Sequence, residues 1–270
     1  MAKKIELNDY FSASNRWSNR ILGLESFHKT RDIDQIEREY NQDKYLRLLQ
    51  SDASDLNSYR KLELEQAGLY KGTGTIVYSL GDELFEEQVD VAREKYYDLI
   101  RTNVNKHNPR LVCELGCGYG YNLSLFGNDV ETYGGEYSEN AVKIANKVGL
   151  NVQNFNYYHS SDYDFIKPGS TIFTSHSIEQ IPDAGVIIEN LRARKHLIDR
   201  VIHIEPTFVK ERTSLLGLMR NRYIELNDYN RNLAEVLKNA ADVELIEVSY
   251  DVYGFVPLNS SNLIIWRFKD

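Results

Sequence analysis

Three glycines occupy alternate positions in segment 111–122, which reads LVCELGCGYGYN. Glycine lacks a side chain, so such a loop turns sharply and lets a ligand approach the backbone closely. Residues 111–115 read as a short buried strand, and an apolar helical stretch opens at Tyr121. A strand, a glycine loop and a helix in this order are typical of a cofactor-binding turn. The residues that could do this chemistry are Glu114, Gly116, Gly118 and Gly120.

The spacing of the glycines separates two classes of cofactor. The dinucleotide fingerprint G-x-G-x-x-G needs a small third residue where this chain has Tyr121. The observed order is instead E-x-G-x-G-x-G, which resembles motif I of the class I S-adenosylmethionine (SAM) dependent methyltransferases. The resemblance covers roughly residues 109–270, whereas residues 1–108 cannot be placed in the family.

The resemblance implies that the glycine loop, with Cys117 in it, holds the methionyl end and the ribose of SAM. Glu114 would bind the ammonium group of the cofactor, since an ionised carboxylate only accepts hydrogen bonds. The product would be S-adenosylhomocysteine (SAH). The alternative is a purely structural turn.

Glu136 lies 20 positions after Gly116, at the end of the second predicted strand. An acidic residue there can accept from both ribose hydroxyls and repels a 2′-phosphate. Tyr137 follows as a further cofactor contact. Without this spacing, Glu136 would read as an ordinary surface residue.

Asn156 follows the third predicted strand, where family members usually have an aspartate that accepts from the adenine amine. The amide departs from that pattern but keeps one acceptor oxygen. Phe155 and Tyr157 flank it and could sandwich the adenine; the sequence leaves open which ring does so.

Segment 175–182, SHSIEQIP, resembles the stretch after the fourth strand, which commonly reads H-x-L-E-H-x-x-D in the family. His176 is suited to deprotonate an acceptor hydroxyl or amine near neutral pH, and Glu179 would face the acceptor. The alternative for His176 is packing against the glycine loop. Gln180 stands where relatives often have histidine, which puts a second base in doubt.

His203 and Glu205 end the fifth predicted strand, and alternation places them on one side of it. We expect a catalytic role for both, with Glu205 orienting His203 or binding the acceptor. A divalent metal is not expected, since no pair such as H-x-x-x-H fixes two ligands on one element. Weaker candidates for acceptor contacts are Tyr78, Tyr223 and Tyr229; Asn227 or Asp228 could instead cap the next helix.

The elements that must position these residues alternate between strand and helix after residue 109, which predicts an α/β fold. With the resemblance, we expect a Rossmann-like, seven-stranded, mostly parallel sheet with helices on both faces and one antiparallel strand in the final pair. Residues 1–108 read as helical, with segment 70–81 as a loop or short extended piece, and we expect them to cap domain 109–270. Phe85, Val89, Ala92, Tyr96 and Ile100 are expected to share one helix face.

The chain has 270 residues and a net charge of -8, with no Lys/Arg cluster in its sequence, which disfavours nucleic acid as substrate. It contains no run of about 18 apolar residues and no apolar signal core near its start, so we expect a cytoplasmic protein without a membrane span. Its two cysteines, Cys113 and Cys117, are expected to be reduced. The oligomeric state is left open.

The leading hypothesis is methyl transfer from SAM to an oxygen, or less favourably a nitrogen, of a polar small molecule such as a sugar or surface-glycan precursor. A SAM-binding subunit without catalysis and a protein methyltransferase are alternatives. An NAD-dependent oxidoreductase conflicts with Tyr121.

Overall fold

Seven strands form the central sheet of this computed structural model, which describes residues 2–12, 16–69, 74–127 and 129–269. The order is β6-β5-β4-β7-β8-β10-β9, and only β10 runs against the others. This confirms the predicted fold class and the antiparallel member of the final pair. The strands are β4 Leu111–Leu115, β5 Glu131–Glu136, β6 Val152–Asn154, β7 Ser170–Ser175, β8 Ile198–Glu205, β9 Val243–Tyr253 and β10 Ser261–Phe268.

A smaller, three-stranded antiparallel sheet, ordered β1-β3-β2, lies in the N-terminal third. Its strands are β1 Lys3–Ile5, β2 Thr75–Leu80 and β3 Glu83–Gln88. The prediction of a helical region is therefore wrong for β1 and β3, and Phe85 lies in β3 rather than on the following helix. Gly81, at φ +54°, turns β2 into β3, and the predicted extended piece is β2. Residues 70–73 of the predicted loop lie outside the described residues.

Helices surround the two sheets. The N-terminal ones are α1 Leu7–Ser12, α2 Arg16–Ile21, α3 Ile33–Ile36, α4 Leu46–Leu49, α5 Leu56–Gln66 and α6 Val89–Asn105, with a π-helix Glu37–Tyr45 joining α3 to α4. The later ones are α7 Glu139–Lys147, α8 Gly185–Arg192, α9 Leu215–Leu226 and α10 Leu233–Asn239. Short 3₁₀ turns span Asn122–Leu125, Ser160–Phe165, Ile178–Gln180 and Lys195–Leu197. Within the described residues, none of these helices is long and apolar enough to cross a membrane.

The two faces of the central sheet are covered by different helices, as expected for strands buried on both sides. One apolar core joins the sheet to α8 and α10. The other joins it to α6 and α7, through Ala92, Ile100 and Val142 among others. The sheet is thus held between two helical layers, and the carboxyl ends of β4, β5 and β7 remain available at one edge.

Two local features differ from the sequence-based expectation. The helical stretch predicted to open at Tyr121 is a single 3₁₀ turn, Asn122–Leu125, and Asn128, which follows it, lies outside the described residues. Helix α9 was not predicted; the Ser214 hydroxyl caps it by accepting from the Gly217 N–H at 3.0 Å. Asn227 does not cap the next helix but ends α9, donating its amide to the Tyr223 carbonyl.

Candidate cofactor and acceptor site

The glycine loop lies at the carboxyl ends of β4 and β5, where open α/β sheets bind ligands. Gly116 and Gly118 have φ values of +72° and +55°, which favour glycine. A Cβ atom on Gly118 would lie 2.6 Å from the Tyr45 hydroxyl, and one on Gly116 would lie 2.3 Å from the Ser177 Cβ. The loop is therefore packed so closely that a side chain at either position would displace its neighbours.

Two clefts meet at this loop. The first cleft includes Glu136, Tyr137, Asn156, Tyr157 and Gln180. The second cleft lies on the other side of the loop and includes Glu114, Cys117, Gly118, Glu179 and Asn259. Four residues line both clefts: Tyr40, Tyr45, Gly116 and His176. Most of the predicted cofactor residues are thus brought together, on two sides of one loop.

Glu136 ends β5 with its carboxylate held by two backbone donors. Its Oε2 accepts from the Gly118 N–H and its Oε1 from the Ser138 N–H, each at 2.8 Å. Burial raises the pKa of Glu136, although these two N–H groups act in the opposite direction. The carboxylate is therefore oriented at the wall of the first cleft, next to the glycine loop.

Glu114 is buried at the end of β4 and keeps one acceptor without a partner. Its Oε1 accepts from the Asn122 amide at 2.8 Å, while Oε2 is buried without a hydrogen-bond partner among the described residues. Burial raises the pKa of Glu114 well above its usual range. A cationic donor in the second cleft would satisfy Oε2 and favour the ionised form.

Cys117 lies in the loop, but its thiol points away from the space expected for a ligand. Its Sγ would lie 2.8 Å from a Cβ atom on Gly134, so the side chain packs against β5. Burial raises the pKa of this thiol well above its usual range. The backbone of Cys117, rather than its sulfur, is the part that can contact a ligand.

The predicted aromatic sandwich around Asn156 is wrong. The rings of Phe155 and Tyr157 contact each other edge to face, with centroids 4.9 Å apart, and a base cannot lie between them. Tyr157 instead donates its hydroxyl to the Leu115 carbonyl at 2.7 Å. The Asn156 oxygen accepts from the Tyr158 N–H at 3.0 Å in an Asx turn, so it already has a local partner.

His176 lies on the wall that the two clefts share, at a left-handed φ of +52°. Its Nδ1 lies 3.1 Å from a Glu179 oxygen, and its Nε2 lies 2.9 Å from the Ser261 hydroxyl. Burial lowers the pKa of His176, but the charge and hydrogen bond of Glu179 outweigh it and raise the pKa above 6.5. The carboxylate partner places the ring proton on Nδ1 and leaves Nε2 as the acceptor nitrogen.

His203 and Glu205 do not line either cleft, which corrects the prediction of catalytic roles. His203 is fully buried in β8, its Nδ1 lies 3.0 Å from the Thr174 hydroxyl, and burial lowers its pKa to about 3. Glu205 is 1% exposed and accepts from the backbone N–H groups of Ser177, Ile178 and Glu179. Glu205 therefore anchors the turn that carries His176.

The three tyrosines proposed as acceptor contacts also lie outside the two clefts. Tyr78 stacks on Tyr253 in the core, with ring centroids 5.5 Å apart. Tyr223 packs against Trp17, and Tyr229 lies under the guanidinium of Arg31. All three pack helices or strands together rather than facing a ligand space.

The sequence indicates a cap in residues 1–108 but not which part of it contacts the loop. That part is the N-terminal roof, defined here as residues 33–63. Asn41 fastens the roof to α7, because its side-chain oxygen accepts from the Ser138 hydroxyl at 2.8 Å and from the Asn140 N–H at 3.0 Å. The Tyr45 hydroxyl of the roof packs against Gly118. Part of this roof is the π-helix Glu37–Tyr45. π-helices are rare in proteins, and those that occur are often at functional sites. The helical periodicity of the sequence does not distinguish a π-helix from an α-helix.

A charged network in the roof borders the second cleft. Glu63 pairs with Lys44 at 2.7 Å and with Arg60, and it accepts from the Tyr119 hydroxyl at 2.7 Å. Burial opposes ionisation of Glu63, but Lys44 and Arg60 hold its pKa well below the usual range. Within the described ranges, no group of three or more His, Cys, Asp or Glu residues could hold a metal ion.

Several solved structures have a similar fold. Magnesium protoporphyrin IX methyltransferase from Synechocystis PCC 6803, with bound SAH, superposes with a TM-score of 0.53 and 14% identity over 88% of this chain and 100% of that one. The pyocyanin biosynthetic protein PhzM gives a TM-score of 0.52 and 11% identity over 96% and 69%. A SAM-dependent methyltransferase from Anabaena variabilis ATCC 29413 gives 0.50 and 14% over 91% and 99%.

At the sequence level, no family model and no curated protein matches the chain. The structural likenesses span nearly the whole chain. This chain has the fold of the class I SAM-dependent methyltransferases.

Proposed function

We propose that this protein is a SAM-dependent methyltransferase that acts on a polar small molecule. The observation that carries the proposal is the pair of carboxylates on the two sides of one glycine loop, Glu136 on the first cleft and Glu114 on the second. A nucleoside ribose needs hydroxyl acceptors on one side, and a methionyl ammonium needs a carboxylate on the other. The buried, unpartnered Oε2 of Glu114 fits that ammonium.

SAM, when bound, supplies an electrophilic methyl group on its sulfonium. The residues of this chain would do the rest: Glu136 holds the ribose hydroxyls, Glu114 holds the ammonium, and Gly116 and Gly118 admit the ligand to the backbone. Methyl transfer disperses charge, so positioning and exclusion of water supply most of the acceleration. The roof would exclude water from the bound ligands.

His176 is the residue we propose as general base toward an acceptor hydroxyl, with nitrogen acceptors less favoured. Its ring lies on the wall that the two clefts share, and its Nε2 lies 2.9 Å from the Ser261 hydroxyl. An acceptor hydroxyl would replace Ser261 at Nε2, while Glu179 stabilises the imidazolium that forms. A sugar or surface-glycan precursor remains our preferred acceptor class, because the second cleft contains mainly polar and charged side chains.

The test combines SAH titration with transfer of a labelled methyl group from SAM to a fractionated metabolite extract. Gly118→Arg should abolish both, since even a Cβ atom meets Tyr45. Gly127→Arg is the matched control, because a Cβ atom there meets nothing within 4 Å. Full SAH binding by Gly118→Arg would overturn the site.

The same assay separates the competing functions. SAH binding without turnover would indicate a noncatalytic SAM-binding subunit. Label confined to the protein fraction would indicate a protein methyltransferase.

A further inference from the structure

Arg93 borders the second cleft without a carboxylate partner. It lies on α6, and among the described residues no acidic oxygen lies within salt-bridge distance of it. Its Nε is buried without a hydrogen-bond partner. Its guanidinium packs on the ring of Phe255, 3.8 Å from the centroid, which fixes the side chain at the cleft wall.

Arg60 and Glu63 are the charged groups that act on Arg93, while Glu114 and Glu179 also line the second cleft. Glu63 is the one carboxylate that pairs with Lys44 and Arg60 among the described residues, so it faces two cations already. Arg93 adds a third, and Arg60 acts on it as a like charge. Burial, with that like charge, lowers the pKa of Arg93 to about 10, so it remains charged at neutral pH.

The other two cations lie nearer the glycine loop. The Lys44 ammonium lies 4.9 Å from the ring centroid of Tyr45, which closes on Gly118. Arg60 shares Glu63 with Tyr119, a residue of the loop itself. Lys44 and Arg60 are therefore placed for a carboxylate of the cofactor, and Arg93 on Phe255 is left for another anion.

Asn259 adds a second unsatisfied group on the same cleft. Its amide donates to a Glu179 oxygen at 3.1 Å, which fixes the amide orientation. Its Oδ1 consequently points elsewhere and is buried without a partner among the described residues. A buried acceptor of this kind calls for a ligand hydroxyl. The cleft thus offers one place for an anion and one for a hydroxyl donor.

From these contacts we propose that the methyl acceptor is a hydroxylated small molecule bearing a carboxylate or phosphate, which Arg93 binds through its guanidinium. This rests on the proposed function, since it names the class of acceptor for the same site. A planar guanidinium can bind either anion with two parallel hydrogen bonds. Neutral sugars, lipids and flat aromatic acceptors leave Arg93 unpaired.

The experiment uses the full chain loaded with SAH and titrated with inorganic phosphate, glucuronate and glucose. Arg93→Met keeps an apolar stem on Phe255 but removes the charge, and we expect it to weaken phosphate or glucuronate binding by about tenfold or more. Arg93→Lys should restore part of that loss. Arg101→Met is the control, because Arg101 lies on α6 and pairs with Glu94 and Asp98 at the surface. The anion preferred by the wild type separates carboxylate from phosphate.

Each other outcome overturns the proposal. Equal anion binding by wild type and Arg93→Met, failure of both anions to bind, or equal binding of glucose removes the anionic acceptor. A tenfold loss of SAH affinity in Arg93→Met assigns Arg93 to the carboxylate of the cofactor instead. If wild type does not bind SAH at all, the proposed function itself fails, which is a distinguishable result.

Discussion

The sheet edge and the N-terminal roof build opposite sides of the same clefts by different means. On the sheet edge, Glu114 and Glu136 lie at the carboxyl ends of strands β4 and β5, and Gly118 lies in the loop after β4, so a few consecutive residues determine their positions. In the roof, Lys44 and Arg60 both pair with Glu63, which accepts from the hydroxyl of Tyr119 in the loop, a residue 56 positions further along the chain. A binding motif can therefore be local in sequence, while the surface that completes the site depends on how separate elements pack.

The largest effect is expected in the roof. Glu63→Gln removes the carboxylate shared by Lys44 and Arg60 and leaves both cations without their partner. We expect the free energy of unfolding to fall by about 3 kcal/mol. Urea denaturation measures it, with Glu65→Gln as the control, since Glu65 on the same helix is exposed and lies 3.9 Å from Lys61. Equal stability of the two variants would show that the network does not hold the roof.

On the sheet edge, Glu136→Gln replaces a charged acceptor by an amide. The loss of charge-assisted hydrogen bonds should raise the Kd for SAH by about fiftyfold, or about 2.3 kcal/mol. Calorimetric titration measures it. Glu139→Gln, at the exposed first turn of α7, is the control and should bind SAH as the wild type does. An unchanged Kd in Glu136→Gln would show that Glu136 does not bind the ribose.

The burial of His203 in β8 predicts that the stability of the protein depends on pH. Its folded pKa of about 3 lies below 6.5, so in the acid range the unfolded state takes up a proton that the folded state refuses. Stability is therefore lost as pH falls below about 6.5, and between about pH 7 and about pH 5 the loss is about 2 kcal/mol. Urea denaturation at both pH values should show a smaller loss in His203→Asn. An identical loss in both proteins would contradict the burial of this ring.

The pKa of His176 is shifted in the opposite direction from that of His203, so its contribution to stability has the opposite pH dependence. Its pKa is raised above 6.5, so its contribution to stability is present below pH 6.5 and is lost as pH rises through the folded pKa. As a base it must be neutral, so methyl transfer should increase with pH through that raised pKa. His176→Gln should lower kcat by about tenfold and flatten this pH profile. A variant that keeps the profile of the wild type would retire His176 as base.

The smallest effect is expected at Tyr78. Tyr78→Phe removes one hydrogen bond to the Lys95 ammonium, at 2.5 Å, but keeps the ring stack on Tyr253. We expect a loss of about 1 kcal/mol of stability or less and no change in KM for the acceptor. Kinetics beside thermal denaturation would check both. A raised KM would return Tyr78 to the acceptor site.

The fold was predictable because its signals are local and periodic. Alternating strands and helices after residue 109, together with the E-x-G-x-G-x-G spacing, indicated the sheet and the loop. Ser138 was predictable as a helix cap, and its hydroxyl accepts from the Ala141 N–H. By contrast, strand alternation placed His203 and Glu205 on one side but carried no information on whether that side faces a cleft or the interior. The side chains packed over β8 decide this.

The amino-acid sequence alone was enough to predict the strand that carries Glu114, the glycine loop and the acidic residue at the end of β5, because each depends on neighbours within a few positions. The packing of the whole chain was needed to show that Lys44, Arg60 and Arg93 line one cleft and that Glu205 anchors the turn of His176. These groups come from separate elements, and no short-range pattern encodes how such elements pack.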